Sequence, residues 1–130
     1  MSEKEHSKPA NGSVSWRDLT VPNADLVRDF YCKVVGWETE PVDMGGYRDY
    51  NMKDAAGNVV AGICHARGSI KNLPPQWLMY ITVDNLDRSI AKCHELGGKL
   101  LTGPNDYGGM GRYAVVQDPA KAVVALYESA

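Results

Sequence analysis

The chain is poor in cysteine. Cys32, Cys64 and Cys93 are its only three, and no two form a CxxC pair. An odd count with no apolar leader argues against a disulfide framework, so reduced thiols and a cytoplasmic protein are expected. A structural zinc knot has no thiolate pair to build on. Long apolar runs are missing too, which excludes a spanning helix, and no membrane partner is expected. Nor is there a block of one charge. Fourteen Lys and Arg against sixteen Asp and Glu leave a formal charge of −2. No basic stripe marks a nucleic-acid face, so no nucleic-acid partner is expected. Hydrophobic residues are nevertheless 44% and charged residues 23% of the 130. That is a globular composition, and the length suits one domain with a real core.

Residues 1–13 are polar, with one Pro and one Gly. They read as a disordered tail, and His6 within it as a solvated side chain rather than a metal ligand. From Val14 onward the chain repeats itself. A shift of 62 lays Leu19-Thr20-Val21 on Ile81-Thr82-Val83, Asp25 on Asp87 and Gly36 on Gly98. A shift of 64 lays the stretch from Asp54 to Ala61 on that from Asp118 to Ala125. Two modules follow, 14–66 and 77–130, joined by a linker at 67–76 that holds Gly68, Pro74 and Pro75.

Both modules predict the order β-α-β-β-β. Alternating β-prone residues over Val14–Val21 give a strand, and Pro22-Asn23 ends it, with Asn23 placed to cap a helix. Leu26, Val27, Phe30, Tyr31, Val34 and Val35 recur at helical spacing up to Gly36. Short strands are expected at Trp37–Val42, Tyr47–Asp54 and Asn58–His65. The second module predicts strands at Trp77–Val83, Lys99–Thr102, Gly111–Asp118 and Ala122–Glu128. Its helix runs from Leu86 to Leu96, closed by Gly97-Gly98. The fold class is therefore α+β.

Residues two apart on a strand share a face. Trp16 and Asp18 then lie together, as do Leu78, Tyr80 and Thr82. On the last strands Ala61 falls with Ile63, and Ala125 with Tyr127. An apolar, partly aromatic lining of this kind suits an organic ligand; the plainer reading is a closed core. Asp18 is the candidate catalytic group. Buried there, its pKa would rise toward that of a general base; otherwise it is a strand-edge carboxylate bonded to a neighbour. His65 reads as a solvated rim histidine, Cys64 as a buried thiol, and Cys93 and His94 as helix residues pointing apart. Arg48 and Arg112 sit in matched glycine-rich hairpins, either near a ligand mouth or solvated.

Two β-α-β-β-β units, with Phe30-Tyr31, Gly36-Trp37 and the turns at Asp54…Gly57-Asn58 and Asp118-Pro119, resemble the vicinal oxygen chelate superfamily. That superfamily includes glyoxalase I, bleomycin resistance proteins, extradiol dioxygenases and fosfomycin-modifying enzymes. The resemblance implies a curved, cup-like mixed sheet with helices outside, and commonly a homodimer. It also implies a divalent metal held by the first and last strands of each unit. Those positions correspond here to Trp16, Ala61, Leu78 and Ala125, and none of these side chains is a metal ligand. The expectation is thus a small-molecule-binding protein of the bleomycin-resistance type, without metal or other cofactor. Trp16, Asp18, Ala61, Ile63, Leu78, Tyr80, Ala125, Tyr127, Arg48 and Arg112 are its candidate contacts. Alternatives are a glyoxalase-like lyase, isomerase or dioxygenase, and an interaction module with a filled cup.

Overall fold

The structure is a computed structural model that describes residues 8–67 and 73–130. His6 and residues 68–72 of the expected linker lie outside the described residues. The first unit, Trp16–Leu78, and the second, residues 8–15 with Met79–Ala130, are each compact.

In the first unit, β1 (Val14–Val21) leads into α1 (Ala24–Val35), then β2 (Glu38–Asp43), β3 (Arg48–Lys53) and β4 (Val59–His65). β2–β3 and β3–β4 are antiparallel, and β4 returns parallel to β1. The second unit repeats this plan. β5 (Trp77–Thr82), α2 (Leu86–Glu95), β6 (Lys99–Asp106), β7 (Gly111–Gln117) and β8 (Val123–Ser129) follow in order. Again the last strand is parallel to the first, and the other pairings are antiparallel. The α+β class and both β-α-β-β-β modules stand. β6 runs four residues past the expected Thr102, with two breaks in its register against β7.

Turn chemistry explains the hairpins. Asp54 Oδ1 accepts the N–H groups of Ala56 and Asn58 at 2.9 and 3.0 Å. Asp118 Oδ1 does the same for Ala120 and Ala122 at 2.8 and 3.0 Å. Such a carboxylate mimics a backbone turn. Gly36, at φ 78°, ends α1 and donates its N–H to Cys32 O. Asn23, expected to cap α1, makes no side-chain cap bond. Its counterpart Asn85 does cap α2, accepting from the Arg88 N–H at 3.0 Å. Order also begins before Val14. Gly12 N–H donates to Thr82 O at 2.7 Å, and Thr82 N–H to Ser13 O at 2.8 Å. Gly12 and Ser13 of the expected tail thus satisfy both backbone groups of Thr82, the last residue of β5, as paired main-chain groups require.

The first unit buries Leu19, Val21, Ala24, Tyr50, Met52, Ala61 and Ile63 together, backed by Val27, Tyr31, Cys32 and Trp37. Each helix N-terminus is also tied by polar groups to the end of its unit's last strand. In the second unit Glu128 Oε1 accepts the Leu86 N–H at 2.7 Å and meets Arg112 at 3.2 Å, while Arg112 also reaches Asp87 at 3.3 Å. In the first unit the Tyr50 hydroxyl donates to Asp25 at 2.6 Å, with His65 Nε2 3.7 Å from the same carboxylate.

The Leu86 N–H, and after it Arg112, hold the Glu128 carboxyl below its ordinary value of 4.5. A depressed carboxyl pKa contributes stability that is complete above the ordinary value. That stability is lost as pH falls through the folded-state value. Glu128→Gln should therefore be less stable than the parent near neutrality. The gap should narrow between about pH 5 and pH 3, as read by urea unfolding.

Candidate functional site

One face of the first unit carries Trp16, Asp18 and Thr20 from β1. Asp18 is paired with Gly62, Thr20 with Cys64, and Asn51 with Gly62 from the other side. The Trp16 indole N–H donates to Asp18 Oδ2 at 3.3 Å. The ring lies over Gly62, where a Cβ would come within 3.0 Å of Trp16 Cζ2 and 3.3 Å of Asp18 Cβ. The indole thus occupies the space that a side chain at 62 would need. Asp18 is 6% exposed, so it is the buried acid the sequence suggested, bonded to a neighbouring indole. Burial, then the Asp18 and Asp49 carboxylates, push the Cys64 thiol far above its ordinary range. A thiol so disposed stays protonated and is no nucleophile.

Ala61 and Ile63 do not share that face. Both are buried in the core with Leu19, Val21 and the α1 residue Ala24. The reason is an irregularity in β4: Met52 pairs with Ala61, whereas Lys53 pairs with Val59. Val60 is an extra residue, and such a bulge turns everything after it to the other side. Counting seven residues from the Asp54 turn therefore lands one short, and Gly62 takes the place assigned to Ala61. No such break separates β7 from β8, so the same count from Asp118 holds for Ala125. Ala61→Leu should consequently overpack the core and cost about 1–3 kcal/mol in equilibrium unfolding.

In the second unit Tyr80 pairs with Ala125, and Thr82 with Tyr127. Tyr113 pairs with Tyr127, and Val115 with Ala125. Tyr107, at the β6–β7 turn, completes a group of four tyrosines. Its ring centroid lies 6.1 Å from Tyr80, 5.6 Å from Tyr113 and 5.7 Å from Tyr127; Tyr80 and Tyr113 are 6.0 Å apart. The Tyr127 hydroxyl donates to Met110 O at 2.6 Å. Ala125 and Val115 are fully buried and Tyr80 nearly so, while the other three rings are half-buried. Tyr107 and Tyr113 were not among the expected contacts. Alternation along β7 would have found Tyr113.

The remaining candidates lie elsewhere. Leu78 borders a small recess with Thr20, Leu73, Pro74 and Gln76. Arg112, placed near a ligand mouth by its hairpin, is instead engaged with Asp87 and Glu128 beside α2. Strand alternation explains this: Arg112 pairs with Glu128, one residue out of phase with Tyr113 and Tyr127. Arg48 likewise alternates with Asp49, on the side of Tyr50 rather than that of Asn51. His65 is no solvated rim group. Its Nδ1 lies 3.2 Å from Asp49 Oδ1, its backbone N–H donates to the same oxygen at 2.9 Å, and its side chain is 21% exposed. Cys93 packs under Gly98, whose N–H donates to Cys93 O at 2.8 Å.

Among the described residues, no three His, Cys, Asp or Glu side chains are grouped to hold a metal ion. The strand positions that would supply ligands carry Trp16, Gly62, Leu78 and Ala125. This donor set does not fit a divalent metal. No described helix is long and apolar enough to cross a membrane.

Comparison with known proteins adds the following. The sequence profile of the Glyoxalase/Bleomycin resistance protein/Dioxygenase superfamily matches residues 13–126. A Mycobacterium bovis protein provisionally named glyoxylase CFP32 is 32% identical over 126 residues, 95% of this chain and 48% of that protein. The anthracycline biosynthesis protein DnrV of Streptomyces peucetius is 28% identical over 130 residues, covering 91% and 47%. The chain spans about half the length of these relatives. Methylmalonyl-CoA epimerase from Mycobacterium tuberculosis has a similar fold, with a TM-score of 0.55 at 16% identity over 98% of this chain and 95% of that one.

Proposed function

The chain belongs to the Glyoxalase/Bleomycin resistance protein/Dioxygenase superfamily, and on that footing we propose that it binds a planar organic small molecule on the tyrosine face of its second unit, without a metal. The carrying observation is the group Tyr80, Tyr107, Tyr113 and Tyr127 around the small floor residue Ala125. Aromatic rings offer large apolar area with polar edges that fix orientation. Ala125 is small and is buried between its strand partners Tyr80 and Val115. DnrV, similar over most of this chain, bears a name from the biosynthesis of a polycyclic aromatic compound, which favours a fused-ring ligand. Trp16, Gly62, Leu78 and Ala125, at the strand positions where the family would place ligands, carry no side-chain metal donor, which is why the proposed binding mode uses no ion.

A second reading has its own observation. Each of the four rings lies 5.6 to 6.1 Å from at least one other, so they also satisfy each other as a filled face. Calorimetric titration with a soluble anthraquinone, with and without chelator, separates the two. Binding indifferent to chelator is expected. Tyr107→Ala should weaken it by roughly 2–10-fold, in line with one lost ring contact. Ala125→Leu should abolish it. No heat from this or other fused-ring probes, with Ala125→Leu strongly destabilised, would mean a filled face and overturn the proposal.

A further inference from the structure

The edge strand of the second unit is broken where its counterpart in the first is regular. β2 and β3 pair without interruption from Glu38 and Lys53 to Asp43 and Arg48. β6 slips twice against β7, once between Leu100 and Thr102 and once between Thr102 and Asn105. Each slip turns the side chains that follow to the other side of the sheet. Leu100 pairs with Val116, which shares the helix side of β7 with Arg112. Thr102, after the first slip, pairs with Val115, and Asn105, after the second, with Tyr113. Both polar residues therefore face the tyrosines, although residues three apart on a regular strand face opposite ways. Gly103 permits the second slip. Its φ is 108°, and a Cβ there would lie 2.8 Å from Tyr113 O and 2.9 Å from Ala114 Cα.

We infer that Thr102 and Asn105 are specificity-determining residues of the tyrosine face, selecting a planar ligand whose ring edge carries neutral oxygen groups, a hydroxyl and a carbonyl. This rests on the ligand reading above and adds what the ligand must look like. Two rows of side chains cross the unit. One runs from Thr102 through Val115 and Ala125 to Tyr80, the other from Asn105 through Tyr113 to Tyr127. Neither row holds a charged side chain, so an anionic or ammonium edge finds no counter-charge in them. Asn105 Nδ2 donates to Thr102 Oγ1 at 3.4 Å, and both residues are half-buried. That bond is long, and it is the only one either side chain makes among the described residues. It leaves an amide N–H to donate to a carbonyl, and the amide oxygen to accept from a hydroxyl. The Thr102 hydroxyl proton is a second donor. Rings hold a flat ligand but orient it weakly within its own plane, and a few placed polar groups fix that orientation. Re-aiming a side chain is what a strand irregularity beside a binding site does.

Calorimetric titration of the full chain with two anthraquinone sulfonates, one bearing a ring hydroxyl and one without it, tests the inference. The parent should bind the hydroxylated probe roughly tenfold more tightly, the share of one or two hydrogen bonds. Thr102→Val, which keeps the branched shape, and Asn105→Ala should each cut that preference to about twofold or less. Affinity for the plain probe should stay within about twofold in both variants. Tyr107→Ala should instead weaken the two probes alike, since a ring contact does not distinguish them. If Asn105→Ala loosens the strand edge, as circular dichroism would show, Thr102→Val alone decides. Equal binding of both probes by the parent would overturn the inference and leave the ligand reading standing. So would a preference that survives both substitutions. Binding of neither probe would overturn the ligand reading, and this selectivity with it.

Discussion

Met52→Ala should lower the free energy of unfolding by about 2–5 kcal/mol, among the largest effects of any single truncation in the first unit. Met52 is fully buried, among the largest side chains that are, and touches the cluster of Leu19, Val21, Tyr50, Ala61 and Ile63. Removing its thioether leaves a void that β3 and β4 cannot close, because their register is fixed on both sides by backbone pairing. The same substitution at Met44, which is 45% exposed, should stay within about 0.5 kcal/mol. Urea unfolding of the pair measures the difference. Near-equal midpoints would show that the core has been assigned to the wrong face of β3.

Gly111→Ala should be comparably damaging for a different reason. Gly111 has φ 126° and opens β7 opposite Ser129. A Cβ there would collide with Glu128 O and lie 3.0 Å from both Ala130 N and Ser129 Cα. These are backbone atoms, so no rotamer relieves the contact. The dihedral alone costs about 1–3 kcal/mol, and parting the end of β8 from β7 adds to it. Gly109→Ala is the control: its φ is 80°, but nothing lies within 4 Å of the added carbon. It should show only the cost of a left-handed alanine, about 1–2 kcal/mol. Thermal unfolding of both variants should rank Gly111→Ala clearly lower.

The repeat made the architecture readable. Strands, helices and turns recur because Asp54 and Asp118 build the same turn, and because Ala24 and Leu86 open their helices as buried residues. What the sequence hid was phase. Val60 adds one residue to β4 without any Gly or Pro to announce it, and this moved Ala61 and Ile63 from the expected ligand face into the core. The same alternation, applied to β7, would have moved Arg112 away from a ligand mouth and brought Tyr113 in. Long-range partners were also out of reach. His65 meets carboxylates at Asp49 and Asp25, one on β3 and one on α1, and no local pattern links three such distant positions. Asn23 and Asn85 show the reverse case, in which identical residues at matched positions differ because only Asn85 has the extended backbone that brings its side chain to Arg88.

The extra residue at Val60 also governs how this molecule can be rebuilt. First and last strands meet 44 residues apart at Asp18 and Gly62, but 45 apart at Tyr80 and Ala125. An engineer who copies a binding residue from one half to the other by the turn alignment will plant it on the buried side. Transfer between the last strands needs an offset one smaller than transfer between the turns. Because Val59 and Ala61 are each already paired, with Lys53 and Met52, excising Val60 leaves both neighbours with partners in place. Deleting that one residue would bring the last strands of the two halves to the same offset as their turns.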